Sequence, residues 1–280
     1  MCKENDRPIG IFDSGLGGLT VLQAVHKLMP EENIVYFGDS GRAPYGTKSA
    51  ETVLKYTFQD MNFLCRMNVK MIVIACNTAG ACSLETVSRA YSIPIVDVVG
   101  AGADAAVSAT RNGGIGVIGT SATVASGVYE RAIKSRMPEA RFYAKACPLF
   151  VPLVEEGWWD HPVTMLVAEE YLAELREKEI DTLVLGCTHY PYLQNLLGGV
   201  MGEDVQLINS AYAVANRVKE ELAKRSLGTQ NTEAGKVQYY TSDSVEKFKA
   251  LGGLFLGTDM GEVSRVAIDR ECDSRAVMLS

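Results

Sequence analysis

The chain has 280 residues, of which 47% are hydrophobic, and a formal charge of -7. That apolar fraction is ample for packed cores and lies far from the composition of a disordered chain. The acidic balance, with no basic block or Lys/Arg stripe, argues against nucleic acid as a partner, and no apolar run is long enough to span a bilayer.

In chain order, the opening MCKENDRPIGIFDSG lacks the long apolar stretch of a signal peptide, so a cytoplasmic protein is expected. A first strand over 8–12 runs through Asp13 and the glycine-rich DSGLGG into a helix over 17–28. Asp13 or Ser14 can N-cap that helix, although a carboxylate there can also hold a proton beside a reactive group. The dinucleotide pattern G-x-G-x-x-G breaks at Thr20, and no Walker lysine follows. The loop therefore reads as a set of backbone N–H groups suited to a small carboxylate. A second strand over 34–38 leads into GDSGRAPYG, where Pro44, Tyr45 and Gly46 mark either a plain turn or a second carboxylate cradle.

After a helix over 50–67 comes the strand 71–75, closed by Cys76, Asn77 and Thr78. Strands over 94–98 and 115–119 follow, the latter entering GTSATV with Thr120 and Thr123, then a helix over 121–136. A strand over 141–146 precedes FVPLVEEGWWD, in which Glu155 is either a solvated charge or a partner for a histidine. Trp158 and Trp159 cover a cleft or an interface. A helix over 163–178 leads to the strand 182–186 and to Cys187, Thr188 and His189. The strand 205–208, the helix 210–224, a polar loop over 225–235 and the strand 237–241 complete the pattern.

Most of these strands are unbroken apolar runs, as strands buried on both faces should be. Their alternation with helices predicts an α/β fold with parallel sheets. GIFDSGLGG at 10–18 lines up with GVIGTSATV at 116–124. In each case a strand ending in cysteine follows about 60–70 residues later, IVIACNTA and LVLGCTHYP. Two related α/β halves follow, each presenting one thiol at the C-terminal end of a strand, where open α/β sheets bind ligands. A helix start after each cysteine would favour its thiolate.

The other cysteines, Cys2, Cys65, Cys82, Cys147 and Cys272, carry no such placement. With no CxxC and only three histidines (His26, His161, His189), reduced thiols are expected and a metal site is not. Two facing thiols could form a redox pair, although such pairs usually sit in CxxC or mobile segments. One could be an acyl-transfer nucleophile with His189 as base, leaving its twin without a role. Or the two could act as acid and base on opposite faces of one carbon, which inversion of a stereocentre requires. Neutral donors around the same edge suit an amino-acid zwitterion.

Taken together, FDSGLGGL, GDSGRAPYG, ACNTA, GTSATV, VPLVE and GCTHYP resemble the glutamate racemases of the aspartate/glutamate racemase family, cofactor-independent enzymes of bacterial cell-wall synthesis. The resemblance implies two pseudo-symmetric parallel-sheet α/β domains, 1–98 plus 210–280 and 99–209, with the active site in the cleft between them. It implies Cys76 and Cys187 as the acid/base thiols, assisted by Asp13 and His189, with no cofactor and no metal. Asp13, Ser14, Tyr45, Gly46, Asn77, Thr78, Thr188 and His189 would meet glutamate, with Thr120 and Thr123 beside them. Glu155 would stand behind His189, and a homodimer is the expected assembly. One departure is Asn209, where NSA replaces the family's usual DSA or DPA and puts local packing in question. The rival readings are an aspartate racemase or related two-cysteine isomerase, and a glutamate-binding protein without turnover.

Overall fold

The computed structural model describes residues 4–268, so Cys2 and Cys272 lie outside the described residues. The first part of the chain runs β1 (Ile9–Asp13), α1 (Leu19–Leu28), β2 (Ile34–Gly38), α2 (Ala50–Arg66), β3 (Met71–Ile74), α3 (Asn77–Ala90) and β4 (Ile95–Asp97). The middle part runs α4 (Val98–Ala109), β5 (Gly114–Gly119), α5 (Ser121–Ala125), α6 (Val128–Arg136), β6 (Arg141–Ala146), α7 (Phe150–Glu155), α8 (Pro162–Arg176), β7 (Thr182–Gly186), α9 (Gln194–Met201) and β8 (Gln206–Ile208). Then follow α10 (Ser210–Lys224), β9 (Val237–Thr241), α11 (Val245–Leu256) and β10 (Val263–Arg265).

These strands form two parallel sheets, ordered β10-β9-β2-β1-β3-β4 and β6-β5-β7-β8. The block β2-β1-β3-β4 repeats strand for strand as β6-β5-β7-β8, which is the physical form of the internal repeat. Phe12 pairs with Ile74 and Ile118 with Leu185, so Cys76 and Cys187 leave equivalent strands at equivalent heights. Alternation splits the apolar runs between two faces. Ile9, Ile11, Met71 and Val73 join the core shared with the second sheet, while Phe12, Ile72 and Ile74 pack under α2 and α3.

The chain crosses between sheets twice, and each crossing is an N-capped helix. Asp97 Oδ1 accepts from the N–H groups of Val99 and Gly100 to start α4, at 2.8 and 3.0 Å. Asn209 Oδ1 accepts from Ala211 N at 3.0 Å to start α10. The amide caps its helix as an aspartate would, so the departure at Asn209 leaves the local packing in order.

Several expectations need correction. The helix over 121–136 is two, because Gly127 adopts φ 64 and breaks it into α5 and α6. The first helix starts at Leu19 with Gly18 before it and no side-chain cap, so neither Asp13 nor Ser14 serves that purpose. Strand β10 was not expected, since Val-Ser-Arg has no apolar run to announce it.

The carboxyl edges of the two sheets face each other and touch at two glycines. A Cβ on Gly17 would overlap Thr188 Oγ1 and lie 2.6 Å from His189 Nδ1; one on Gly46 would lie 2.6 Å from Thr120 Cβ. We expect Gly17→Ala and Gly46→Ala each to wedge this contact open and to destabilise the protein by about 1–3 kcal/mol, read by urea denaturation. An unchanged midpoint for both would contradict the close contact.

Candidate active site

The first wall starts at the end of β1. Asp13 is fully buried; its Oδ2 accepts from Gly15 N at 3.0 Å and its Oδ1 from Thr188 Oγ1 of the facing wall at 3.3 Å. Burial raises the Asp13 pKa, against the pull of the His189 charge and the Gly18 and Gly15 N–H groups. Tyr36 OH donates to Gly15 O at 2.8 Å and pins this turn from β2. Cys76 N-caps α3: its sulfur accepts from Ala79 N at 3.5 Å, and its thiol donates to Ser14 Oγ at 3.6 Å.

The helix start was expected to favour the Cys76 thiolate. Instead burial, followed by the nearby Asp13 charge, pushes this thiol up to about 12, outweighing the Ala79 N–H and Ser14 hydroxyl. At neutral pH the closed site holds Cys76 as a thiol.

The second wall differs. Cys187 is buried at the end of β7, but the helix expected directly after it is a short 3-10 turn, Tyr190–Leu193, ahead of α9. Its polar neighbour is therefore an imidazole rather than a helix end: Cys187 Sγ lies 3.8 Å from His189 Nδ1. On the far side of the ring, Nε2 lies 3.2 Å from Glu155 Oε1 at the end of α7. Burial opposes charge on His189, yet its contacts with Cys187 and Glu155 prevail and raise its pKa to about 10. The ring is thus an imidazolium at neutral pH. Glu155 answers in kind: its pKa is lowered, burial opposing the His189 hydrogen bond and charge. This carboxylate is engaged with the histidine.

Between the walls lie neutral donors. Thr78 Oγ1 is 2.9 Å from Thr120 Oγ1 and 3.3 Å from Thr123 Oγ1, which are 3.0 Å apart. Tyr45 and Gly46 occupy a 3-10 turn before α2. The Tyr45 hydroxyl donates to Asp60 Oδ2 at 2.8 Å and also contacts Asp39, while Arg42 bridges the same two carboxylates at 2.7 and 2.9 Å. Burial and the Asp39 charge raise the Asp60 pKa well above its usual value, with Arg42 opposing. This support of the Tyr45 turn was not foreseen. Its members are scattered from residue 39 to residue 60, and only the motif GDSGR hinted at it.

The walls enclose a cavity of ≈ 20 Å³, lined by Ser14, Tyr45, Gly46, Cys76, Asn77 and Thr78 on one side and by Thr120, Glu155, Cys187, Thr188 and His189 on the other. Asp13 and Thr123 stand just behind that lining, while Cys65, Cys82 and Cys147 are not part of it. The space accommodates about one water, so a larger ligand requires the seam to open. A roomier groove of ≈ 640 Å³ beside α1 and α10 includes Asn209 but none of the expected site residues. Trp159 stacks on Tyr192 with centroids 5.0 Å apart and packs against Phe255, whose ring meets His189 edge-on. Trp158 stacks on His161 and remains partly exposed. Among the described residues, no group of His, Cys, Asp or Glu is arranged to hold a metal ion, and no helix is long and apolar enough to cross a membrane.

Twin sheets meeting at a seam with one buried thiol on each wall are the arrangement expected of a two-thiol amino-acid racemase. The model of the Asp/Glu/hydantoin racemase family matches residues 19–218, and the chain belongs to that family. A glutamate racemase from Geobacter metallireducens is 48% identical over 265 residues, covering 95% of this chain and 98% of its own. Among solved structures, a glutamate racemase from Bacillus anthracis superposes with a TM-score of 0.91 at 37% identity, covering 94% of this chain and 98% of that one. One from Francisella tularensis, in complex with D-glutamate, gives 0.89 at 38% identity, covering 95% and 99%.

The Glu155–His189 pairing has a pH signature. The His189 pKa stands above its usual 6.5, so its stabilising contribution is complete below 6.5 and is lost as the pH rises through about 10. Glu155→Gln should move the His189 titration downward in NMR, and its stability deficit should be largest between about pH 4.5 and 6.5, where Glu155 is ionised and His189 protonated, then shrink as the pH rises and vanish above about 10. A His189 titration unmoved by the substitution would contradict the pairing.

Proposed function

We propose that this chain interconverts L-glutamate and D-glutamate without a cofactor and supplies D-glutamate for peptidoglycan. The observation that carries this reading is the pair of buried thiols, one per sheet, ending equivalent strands on opposite walls of one closed cavity. A glutamate held between them presents one face of its α-carbon to Cys76 and the other to Cys187. One sulfur, as thiolate, takes the α-proton; the opposite thiol delivers its own proton to the other face, and the roles exchange for the reverse direction.

The α-proton is far less acidic than a thiol, so the site must stabilise the carbanion as it forms. Hydroxyl and amide donors from Ser14, Asn77, Thr78 and Thr188 serve the α-carboxylate, and the closed seam keeps water away. Tyr45, Gly46, Thr120 and Thr123 hold the remainder of the substrate. Asp13, whose charge is felt at Cys76, would accept the Cys76 proton or face the substrate ammonium once the seam opens. His189, protonated and anchored by Glu155, lies where it can support a negative charge on Cys187. An acyl-transfer reading would use Cys187 and His189 but leave Cys76 idle.

We further take 1–98 plus 210–280 and 99–209 as two domains that part at the crossings near Asp97 and Asn209 to admit substrate. Cytoplasmic location and a homodimer complete the proposal.

Racemisation followed by circular dichroism tests this reading. L-glutamate should lose its signal and L-aspartate should not; preference for aspartate would transfer the chain to the rival substrate, and no change with either would favour a binding protein. Cys76→Ala and Cys187→Ala should each reduce turnover by about 10²–10⁴-fold or more, as removal of a general acid or base does. Full activity in either variant would refute the two-thiol mechanism. A chelator or a carbonyl-trapping reagent should leave the rate unchanged.

A further inference from the structure

Asn77 and Tyr129 form a contact that the mechanism above does not use. Asn77 follows Cys76, is 2% exposed and lines the cavity. Its Oδ1 accepts a hydrogen bond of 2.6 Å from the hydroxyl of Tyr129, which belongs to α6 and lies 52 residues along the chain. Its Nδ2 is buried with no hydrogen-bond partner. A buried donor without a partner in a cavity wall is poised to meet a ligand acceptor.

Tyr129 reaches this position because the chain leaves room for its ring. It is 2% exposed, and α6 starts afresh after the left-handed turn at Gly127. A Cβ on Gly186 would lie 3.2 Å from Tyr129 Cε2, and one on Gly102 would lie 3.2 Å from its hydroxyl. The ring therefore rests against the residue before Cys187, while its oxygen holds the residue after Cys76. Burial raises the Tyr129 pKa, so the hydroxyl stays a donor at any pH where the protein functions.

We infer that Tyr129 is a positioning residue that fixes the polarity of the Asn77 side chain. A carboxamide can present either its oxygen or its NH₂ group to the cavity, and the two ends are opposite in sign. The buried Tyr129 hydroxyl has Asn77 Oδ1 as the acceptor for its hydrogen, and turning the amide would replace that acceptor with an NH₂ group, so the contact favours the orientation that leaves Nδ2 free for the substrate. Without it the amide can turn its oxygen toward a substrate carboxylate and repel it. The inference rests on the racemase reading, because it takes the ligand at Nδ2 to be a carboxylate of glutamate.

A double-mutant cycle tests it, with Tyr129→Phe, Asn77→Ala and the pair measured on both enantiomers. Tyr129→Phe should retain the wild-type circular dichroism spectrum yet lose about tenfold or more in kcat/KM, chiefly through KM. In the Asn77→Ala background the same change should cost nothing further. A kcat/KM within twofold of wild type, two losses that simply multiply, or loss of the fold on removing one oxygen would each overturn the positioning role. Wild-type turnover serves as the control: its absence would overturn the racemase reading itself, whereas wild-type turnover with an unimpaired Tyr129→Phe would overturn only this inference.

Discussion

Two parallel sheets end edge to edge on a seam with room for about one water, and the chemistry of the site follows from the burial this imposes. Removing Cys76 and Asp13 from water raises both pKa values, although a helix start and several N–H groups pull the other way. A helix end is worth a fraction of a kcal/mol to about 2 kcal/mol to a nearby anion, whereas full burial can move a group by several pKa units. The same seam that suppresses ionisation of Cys76 would shield a carbanion once substrate is enclosed.

The fold is close to a two-fold repeat, but its electrostatics are not. Cys76 shares its wall with a buried carboxylate and a serine hydroxyl. Cys187 shares its wall with an imidazolium that is tied to Glu155. Equivalent strands thus deliver equivalent atoms into unlike surroundings. The positions after each thiol diverge accordingly: Asn77 and Thr78 open a helix on one side, while Thr188 and His189 precede a 3-10 turn on the other.

Much of this was legible in the sequence because strands buried on both faces announce themselves. The runs IVIA and LVLG just before Cys76 and Cys187 have no polar residue to disguise them, and their repetition placed both thiols at sheet edges. Local chemistry was harder to read. The helix start after Cys76 pointed to a lowered pKa, because sequence shows the dipole but not the depth of burial. The helix over 121–136 concealed its break, since a single Gly127 does not reveal a positive φ. Contacts between residues far apart in the chain, such as Tyr129 on Asn77 across the halves and Glu155 on His189 within the second, join residues 52 and 34 apart and leave no periodic trace.

The central claim is that two thiols act on opposite faces of one carbon, and isotope exchange in D₂O tests it most directly. Each thiol carries one exchangeable hydrogen, so the proton removed by one sulfur is not the one the other returns. The account predicts that, early in the reaction from either enantiomer, α-deuterium appears in the product enantiomer while recovered substrate keeps its hydrogen. Deuterium returning at the same rate into the starting enantiomer would indicate a single base, and no α-exchange at all would contradict racemisation by proton transfer.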